Sequence, residues 1–168
     1  MGYQFTTVVV TVLVVAVLFA LMLWGWTSRL RRQAGTAPLP ELPAGIEERA
    51  PRLAVPGMYV ATTEAGAPLE RIAVHGLGVR ARATVLVHDE GVLYDRQGAE
   101  PLFVPAADEL AVGTSSGMVG KFVEKDGLAV LTWSLGGTPV DTGFRTRRAE
   151  DQRRLRAAVE AIAPAQHA

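Results

Sequence analysis

The amino-acid sequence predicts an N-terminal transmembrane helix followed by a small, mainly β (α+β) domain that ends in a helix. Three observations support this fold class. An uncharged apolar run covers residues 5–26, short apolar runs alternate with turn residues over 57–144, and residues 148–162 contain neither glycine nor proline. The 168 residues leave room for one domain of about 100 to 150 residues beside such an anchor.

The first element is the apolar run of residues 5–26, which contains only scattered hydroxyl groups among its aliphatic side chains. As a helix it would be roughly 33 Å long, close to the hydrocarbon thickness of about 30 Å in a bilayer. A cleaved signal peptide would begin with basic residues and carry a shorter apolar run. The first four residues carry no positive side chain, so we expect a retained span.

The orientation of the span follows from the residues after it. Arg29, Arg31 and Arg32 lie directly C-terminal to the span, and cationic flanks stay on the cytoplasmic side of a membrane. Trp24 and Trp26 suit the interface on the same side. We therefore expect a single-pass protein of the plasma membrane, with its N-terminus outside and its C-terminal domain in the cytoplasm.

Residues 27–56 are predicted to be a basic juxtamembrane segment followed by a proline-rich linker. From residue 33 onward the composition shifts to Ala, Gly, Glu and Pro, with prolines at 38, 40, 43, 51 and 56. Prolines at this spacing favour extended backbone of the polyproline type. The segment is therefore expected to be a solvated spacer ahead of a domain over residues 57–163.

The clearest strand covers residues 79–88, where apolar and polar side chains alternate with a period of two. Its apolar face comprises Val79, Ala81, Ala83, Val85 and Val87. A turn over 89–91 then leads into a strand at 92–94. Further short apolar runs predict strands over 58–62, 102–104, 110–113, 121–124, 128–134 and 139–144.

Two glycine-containing turns order the last three strands. Asp126-Gly127 and Gly136-Gly137 supply the positive φ that two-residue hairpin loops require. We therefore expect each flanking pair of strands to be adjacent and antiparallel. The whole domain is predicted to contain about seven antiparallel strands in a bent, barrel-like pair of sheets.

The last element is a helix over residues 148–162. Leu155, Val159 and Ile162 recur at helical spacing and form a narrow apolar stripe. This stripe could cover one open end of the sheets, and Pro164 would stop the helix.

Two segments carry a resemblance to a known family. Residues 91–110, GVLYDRQGAEPLFVPAADEL, resemble the strand, turn, strand and Val-Pro step of bacterial pleckstrin-homology (PH)-like proteins. Val104, Pro105 and Asp108 fit that pattern, whereas Ala106 replaces the usual aromatic residue. Residues 128–145, LAVLTWSLGGTPVDTGFR, are similar to the last hairpin of such proteins. With the span, the chain resembles small actinobacterial membrane proteins that carry a cytoplasmic PH-like domain.

Two short motifs could indicate catalysis, but neither has the context that its chemistry needs. The G-x-S-x-G pattern over 113–117 requires a following helix and a later histidine, whereas Gly117 and Gly120 oppose a helix and only His167 follows. The G-x-G-x-x-A pattern over 76–81 leads into a predicted strand, where a nucleotide site needs a helix. We therefore expect no enzyme activity.

Composition excludes further classes of function. His75, His88 and His167 match no common metal-ligand spacing, and the chain has no cysteine, so no metal or cofactor is expected. Without the three juxtamembrane arginines, 17 − 3 = 14 basic residues face 17 acidic ones, a net charge near −3. A nucleic-acid-binding domain would instead present a basic surface.

The resemblance implies an interaction module, because PH-like domains generally bind proteins, peptides or lipid headgroups. Our leading hypothesis is a membrane-anchored adaptor that recruits an unidentified cytoplasmic or membrane protein partner. A second hypothesis is binding of an anionic lipid headgroup by Arg71, Arg80 and Arg82, which resemble the R-x-R feature of some PH domains. A third is an accessory subunit of an export or transport system.

Overall fold

The computed structural model describes residues 2–32, 35–106, 110–118, 120–122 and 127–163. These residues form two compact units, one over residues 1–35 and one over 36–168. The described helices and strands are α1 Gly2–Arg32, β1 Leu53–Glu64, β2 Ala81–His88, β3 Gly91–Arg96, β4 Leu102–Pro105, β5 Ala111–Ser115, β6 Gly117–Met118, β7 Lys121–Phe122, β8 Leu128–Leu135, β9 Thr138–Thr146 and α2 Ala149–Ile162.

The first unit is the helix α1. Its segment Thr7–Gly25 has a mean hydropathy of 2.8, and none of that segment is buried. The apolar side chains lie open, as with Met22 at 73% exposure and Trp24 at 71%. A helix of this length and composition is able to cross a membrane.

The second unit is an antiparallel sheet with a helix against it, as the sequence predicted. Seven strands pair in the order β4-β3-β2-β1-β9-β8-β5, and β6 and β7 form a separate two-stranded hairpin. In place of the predicted pair of barrel-like sheets, the structure has one main sheet, which is not closed. In the described residues, β4 and β5 remain at its opposite edges and do not pair with each other.

The two predicted hairpin turns have different outcomes. Gly136 and Gly137 have φ of 59° and 85° and join β8 to β9 as predicted. Beside β8, however, the structure places β5, which offers a ladder from Ala111 to Ser115, whereas β7 pairs only with β6. A five-residue ladder satisfies more backbone groups than a two-residue one, which favours β5 as the neighbour. Residues 123–126 of the other predicted turn lie outside the described residues.

The inner face of the sheet carries the main core. Alternate residues of β2 are buried as predicted, with Ala83, Val85 and Val87 at most 5% exposed. Val79 is instead 60% exposed, because the strand begins at Ala81. Leu155 and Val159 of α2 are fully buried in the same cluster, which confirms the predicted stripe.

Four side chains of the core form a continuous chain of hydrogen bonds. Trp133 Nε1 donates to Thr142 Oγ1 at 2.9 Å, and the hydroxyls of Thr142 and Thr62 are 2.8 Å apart. Thr62 is in turn 2.7 Å from the hydroxyl of Tyr59, which donates to the carbonyl of Leu77 at 2.9 Å. These bonds link β8, β9, β1 and the loop before β2.

The outer face of β2, β3 and β4 is covered by the proline-rich segment. Ile46, in a 3-10 turn over Ile46–Glu48, is 1% exposed and packs with Leu93 and Phe103. The ion pairs Arg49–Glu90 and Arg52–Asp89 connect the same segment to the β2–β3 turn. We call residues 36–52 the strap. Part of the predicted linker therefore belongs to the domain, because apolar side chains between its prolines bury against the sheet.

Candidate functional site

A cleft on the outer face of the sheet brings four arginines together. It has a volume of about 450 Å³ and is lined by Gly57, Met58, Arg80, Arg82, Arg145, Thr146 and Arg147. We call it the arginine cleft. The four cations lie on a domain that is otherwise acidic.

Strand register explains why these arginines meet. Met58 of β1 pairs with Arg82 of β2 on one side and with Arg145 of β9 on the other. Residues directly opposite each other in antiparallel strands point to the same face, so these three side chains form one row. Neighbouring strands lie about 4.8 Å apart, which places the backbones of Arg82 and Arg145 roughly 10 Å from each other.

The other two arginines lie outside the strands that carry this row. Arg80 lies two residues before Arg82 and Arg147 two residues after Arg145, and two residues span roughly 6.7 Å of strand. Arg80 lies just before β2 and Arg147 just after β9, and both line the cleft together with Arg82 and Arg145.

Local backbone features hold the strands of the cleft close together. A side chain at Gly57 would collide with the ring of Phe144 and the carbonyl of Arg145, so glycine permits this approach of β9. Beyond Met58, the register between β1 and β9 shifts at Val60, which is a β-bulge. Bulges bend the strand and re-aim side chains, and they are frequent beside functional sites.

Three of the four cleft arginines differ in their electrostatic partners from the ion-paired arginines of the strap and of α2. In the part of the chain that the structure describes, Arg80, Arg82 and Arg147 make no ion pair. Arginines elsewhere do have carboxylate partners, as in Arg156 Nε to Glu160 Oε1 at 2.7 Å. Arg80, Arg82 and Arg147 thus carry positive charge that the described carboxylates do not neutralise.

Arg71, the third residue predicted to bind a headgroup, does not line the cleft. It lies opposite Thr63, roughly 16 Å along β1 from Met58, and its Nη1 donates to the carbonyl of Gly78 at 3.1 Å. The structure therefore brings Arg80 and Arg82 together with Arg145 and Arg147, and separates Arg71 from them. Headgroup binding itself stays a prediction.

Beneath the cleft, the inner face carries a buried cation that the sequence analysis missed. Arg96 is 3% exposed; its Nε donates to the carbonyl of Glu100 at 2.8 Å and its Nη1 to that of Gly76 at 3.0 Å. Its guanidinium lies 4.9 Å from the ring centroid of Tyr59. These contacts keep Arg96 inside the core, so it serves the fold and not the cleft.

Burial also governs the ionisation of the two core tyrosines. Loss of hydration raises the pKa of Tyr59 to about 12, although the hydrogen bond from Thr62 and the charge of Arg96 oppose this shift. Burial likewise raises the pKa of Tyr94 well above its ordinary value. Both phenols therefore remain protonated and neutral throughout the physiological range.

The motifs that the sequence analysis discounted have structural roles. Ser115 Oγ donates to the carbonyl of Gly117 at 2.8 Å, and strand β6 follows it instead of a helix. Strand β2 follows the glycine-rich segment over 76–81, as predicted. Among the described residues, no three His, Asp or Glu side chains are grouped closely enough to hold a metal ion.

Several predicted residues remain without a structural test. The helix α1 extends through positions 29, 31 and 32, but their role in topology stays a prediction, as does that of Trp24 and Trp26. Asp108, Pro164 and His167 lie outside the described residues.

An open antiparallel sheet with a C-terminal helix against its inner face is consistent with a PH-like fold. The sequence matches the family described as Bacterial PH domain-like over residues 36–161, and the chain belongs to this family. No curated protein matches the sequence. The match over residues 36–161 includes the strap. Domains of this class are generally not catalytic.

Proposed function

We propose that this protein is a non-catalytic binding module, anchored in the plasma membrane by one span, that recruits a protein partner through the arginine cleft. The observation that carries the proposal is the cleft itself, in which Arg80, Arg82, Arg145 and Arg147 line one open surface of a PH-like domain. Arginines gathered around an apolar floor such as Met58 favour recognition of anionic groups.

The anchor supplies the second part of the proposal. Tethering raises the local concentration of the domain at the membrane and strengthens recruitment without any new contact. Arginines at positions 29, 31 and 32 favour an orientation with the domain in the cytoplasm. Because the chain has no cysteine, Gly2→Cys and Gly35→Cys provide unique probes of this topology. If an impermeant reagent labelled Gly35→Cys in intact cells, position 35 would lie outside the cell and the proposed orientation would be wrong.

Site-specific crosslinking tests recruitment directly. A photoreactive phenylalanine analogue in place of Met58, at the floor of the cleft, should trap one stoichiometric protein in native membranes. The matched control carries the analogue in place of Arg153, an exposed residue of α2. Failure to trap any protein from position 58, or equal trapping from both positions, would remove the proposal.

Binding of a lipid headgroup is a second candidate, because the Arg80-x-Arg82 pair lies in the open cleft as a headgroup site requires. The net acidic charge of the soluble part weakens its attraction to an anionic leaflet. Vesicles separate the two candidates: equal binding to neutral and anionic vesicles would remove this second one.

A further inference from the structure

The arginine cleft concentrates more positive charge than one carboxylate can balance. Arg80, Arg82 and Arg147 all line it, and none of the three makes an ion pair with a described carboxylate. Arg145, the fourth lining arginine, has an interaction of its own within the chain. The cleft therefore holds three guanidinium groups, around a volume of about 450 Å³, that the described carboxylates do not compensate.

A phosphomonoester fits this arrangement better than a carboxylate does. A phosphorylated side chain carries a charge of about −1.5 to −2 near pH 7 and presents three strong acceptor oxygens. A carboxylate carries one charge on two oxygens, and a single guanidinium can bind both of them with two parallel hydrogen bonds. Arginines clustered on one cleft therefore match a phosphoryl group, whose oxygens can be shared among several guanidinium groups.

The other residues that line the cleft leave the arginines available. Gly57 and Met58 carry no charge, and the hydroxyl of Thr146 donates to the carbonyl of Arg148 at 2.8 Å. Among the described residues, no carboxylate lines the cleft. Met58 pairs with Arg82 in the ladder and is half-buried, so it offers apolar surface to the carbon atoms that carry a phosphoryl group.

A phosphoryl group can belong to a protein or to a phospholipid, and the charge of the domain favours the protein. Without the three juxtamembrane arginines, 14 basic residues face 17 acidic ones, which gives a net charge near −3. An anionic leaflet presents negative charge to the whole approaching face of the domain, and the acidic excess opposes that approach. A phosphorylated side chain presents its charge to the cleft alone, because charges beyond about 10 Å are largely screened.

We infer that the arginine cleft binds a phosphorylated side chain of the protein partner. The inference rests on the proposed function and adds the chemical class of the group that is recognised. Arg80, Arg82 and Arg147 hold the phosphoryl oxygens, and Met58 contacts the side chain that carries them. Recruitment then depends on the phosphorylation state of the partner.

Fluorescence anisotropy with the full-length protein in phosphatidylcholine nanodiscs tests the inference. The probes are short labelled peptides that differ only at one central position, which is phosphoserine, phosphotyrosine, Glu or Ser. We expect at least one phosphorylated peptide to bind about tenfold or more tightly than the Glu and Ser peptides. If neither phosphorylated peptide binds more tightly than the Glu peptide, the inference is overturned.

The pH dependence of binding identifies the group that is bound. None of the described residues that line the cleft titrates between pH 5 and 8. The second pKa of a phosphorylated side chain is about 6, so binding of the phosphopeptide should weaken by about threefold or more between pH 7.5 and pH 5, as the dianion is lost. Unchanged binding over this range would contradict recognition of the dianion and would overturn the inference.

Matched variants locate the binding. The cleft variant Arg80→Gln/Arg82→Gln should weaken binding of the phosphopeptide by about tenfold or more. The control Arg153→Gln/Arg154→Gln removes the same charge from the exposed surface of α2 and should change binding by less than about twofold. Equal losses in both variants would show attraction to overall charge and would overturn the assignment to the cleft.

A lipid arm decides between the two sources of the phosphoryl group. Vesicles of phosphatidylcholine with phosphatidic acid, whose headgroup is a phosphomonoester, are floated with the nanodisc protein and with the cleft variant. We expect no flotation that depends on Arg80 and Arg82. Flotation of the wild type that is lost in the cleft variant would assign the cleft to a lipid and overturn the inference.

A cellular arm separates this inference from recruitment itself. Phosphatase treatment of permeabilised native membranes should abolish the crosslink from position 58. A crosslink that survives dephosphorylation would leave recruitment standing and overturn the phosphorylated ligand. If no partner is trapped from untreated membranes, recruitment fails, while the peptide measurements still decide what the cleft binds.

Discussion

The outer face of the sheet is divided into two halves of opposite chemistry. Over β2, β3 and β4 it is apolar, and the strap covers it through Ile46 against Leu93 and Phe103. Over β2, β1 and β9 it carries the arginine cleft and is open. Both halves share β2, yet one is sealed by the domain's own chain and the other is available to another molecule.

The difference shows how a small domain can separate stability from recognition on one surface. Burial of apolar area stabilises the covered half, at about 25 cal/mol per Å² removed from water. The open half concentrates like charges, which contributes nothing to folding and is mildly repulsive. Substitutions in the covered half should therefore change the free energy of unfolding, whereas substitutions in the open half should change binding.

The largest effect is expected where the strap meets the sheet. Ile46→Ala removes a fully buried side chain, and we expect the free energy of unfolding to fall by about 2 to 4 kcal/mol. Urea denaturation can be followed by the fluorescence of Trp133 after Trp24→Phe and Trp26→Phe. Leu69→Ala is the control, because Leu69 is 67% exposed and its loss should change stability by less than about 0.5 kcal/mol. A similar loss in both variants would show that the strap does not stabilise the domain.

Ionisation of Tyr59, which lies on the inner face, should destabilise the whole sheet and therefore both halves of its outer face. Folding raises the pKa of Tyr59 from 10.0 to about 12, so its stabilising contribution is complete below pH 10 and is lost as the pH rises toward 12. The loss should approach about 2 to 3 kcal/mol. Urea unfolding at pH 9, 10 and 11 measures the slope, which should be shallower in Tyr59→Phe. An unchanged slope in that variant would assign the pH dependence to other groups.

The ion pairs of the strap should contribute far less than its apolar contact. Arg49 and Glu90 have side chains 46% and 41% exposed, and a double-mutant cycle of Arg49→Ala and Glu90→Ala should give a coupling of about 0.5 kcal/mol. The coupling should fall further in 1 M salt, where screening extends over roughly 3 Å. A coupling above about 2 kcal/mol would show that charge, and not Ile46, fixes the strap.

The smallest effect on stability, and one of opposite sign, is expected in the cleft. Arg80→Gln/Arg82→Gln relieves repulsion between like charges and should leave the free energy of unfolding unchanged or raise it by up to about 0.5 kcal/mol. Arg153→Gln/Arg154→Gln provides the comparison. Destabilisation by more than about 1 kcal/mol would mean that the arginines support the sheet and are not reserved for binding.

Much of the fold was predictable because its strands are short, alternating and bounded by turn residues. Residues 79–88 and 128–134 differ from the observed β2 and β8 by two residues or fewer at each end. The Gly136-Gly137 turn indicated one pairing, since two residues of positive φ suit a two-residue hairpin loop. The pairing of β5 with β8 was not predictable, because a ladder between segments distant in sequence leaves no local signal.

The cleft was only half predictable for the same reason. The alternation of β2 placed Arg80 and Arg82 on one face, but Arg145 and Arg147 join them only through the register of β1 with β9. Val140, Thr142 and Phe144 alternate along β9 and are buried. This alternation could have indicated that Arg145 and Arg147 point to the outer face. The strap was missed because its prolines suggested extended chain, whereas Ile46 provides the apolar contact that docks it.

The buried chain of hydroxyls runs in one direction only. The indole of Trp133 can only donate and the carbonyl of Leu77 can only accept a hydrogen bond. The hydroxyls between them, in the order Thr142, Thr62 and Tyr59, must therefore each accept a hydrogen bond from the preceding group and donate one to the next. No member can be reversed independently. We therefore expect positions 62 and 142 to tolerate Ser in place of Thr but not the isosteric Val. Val would leave a buried donor on one side and a buried acceptor on the other without a hydrogen bond.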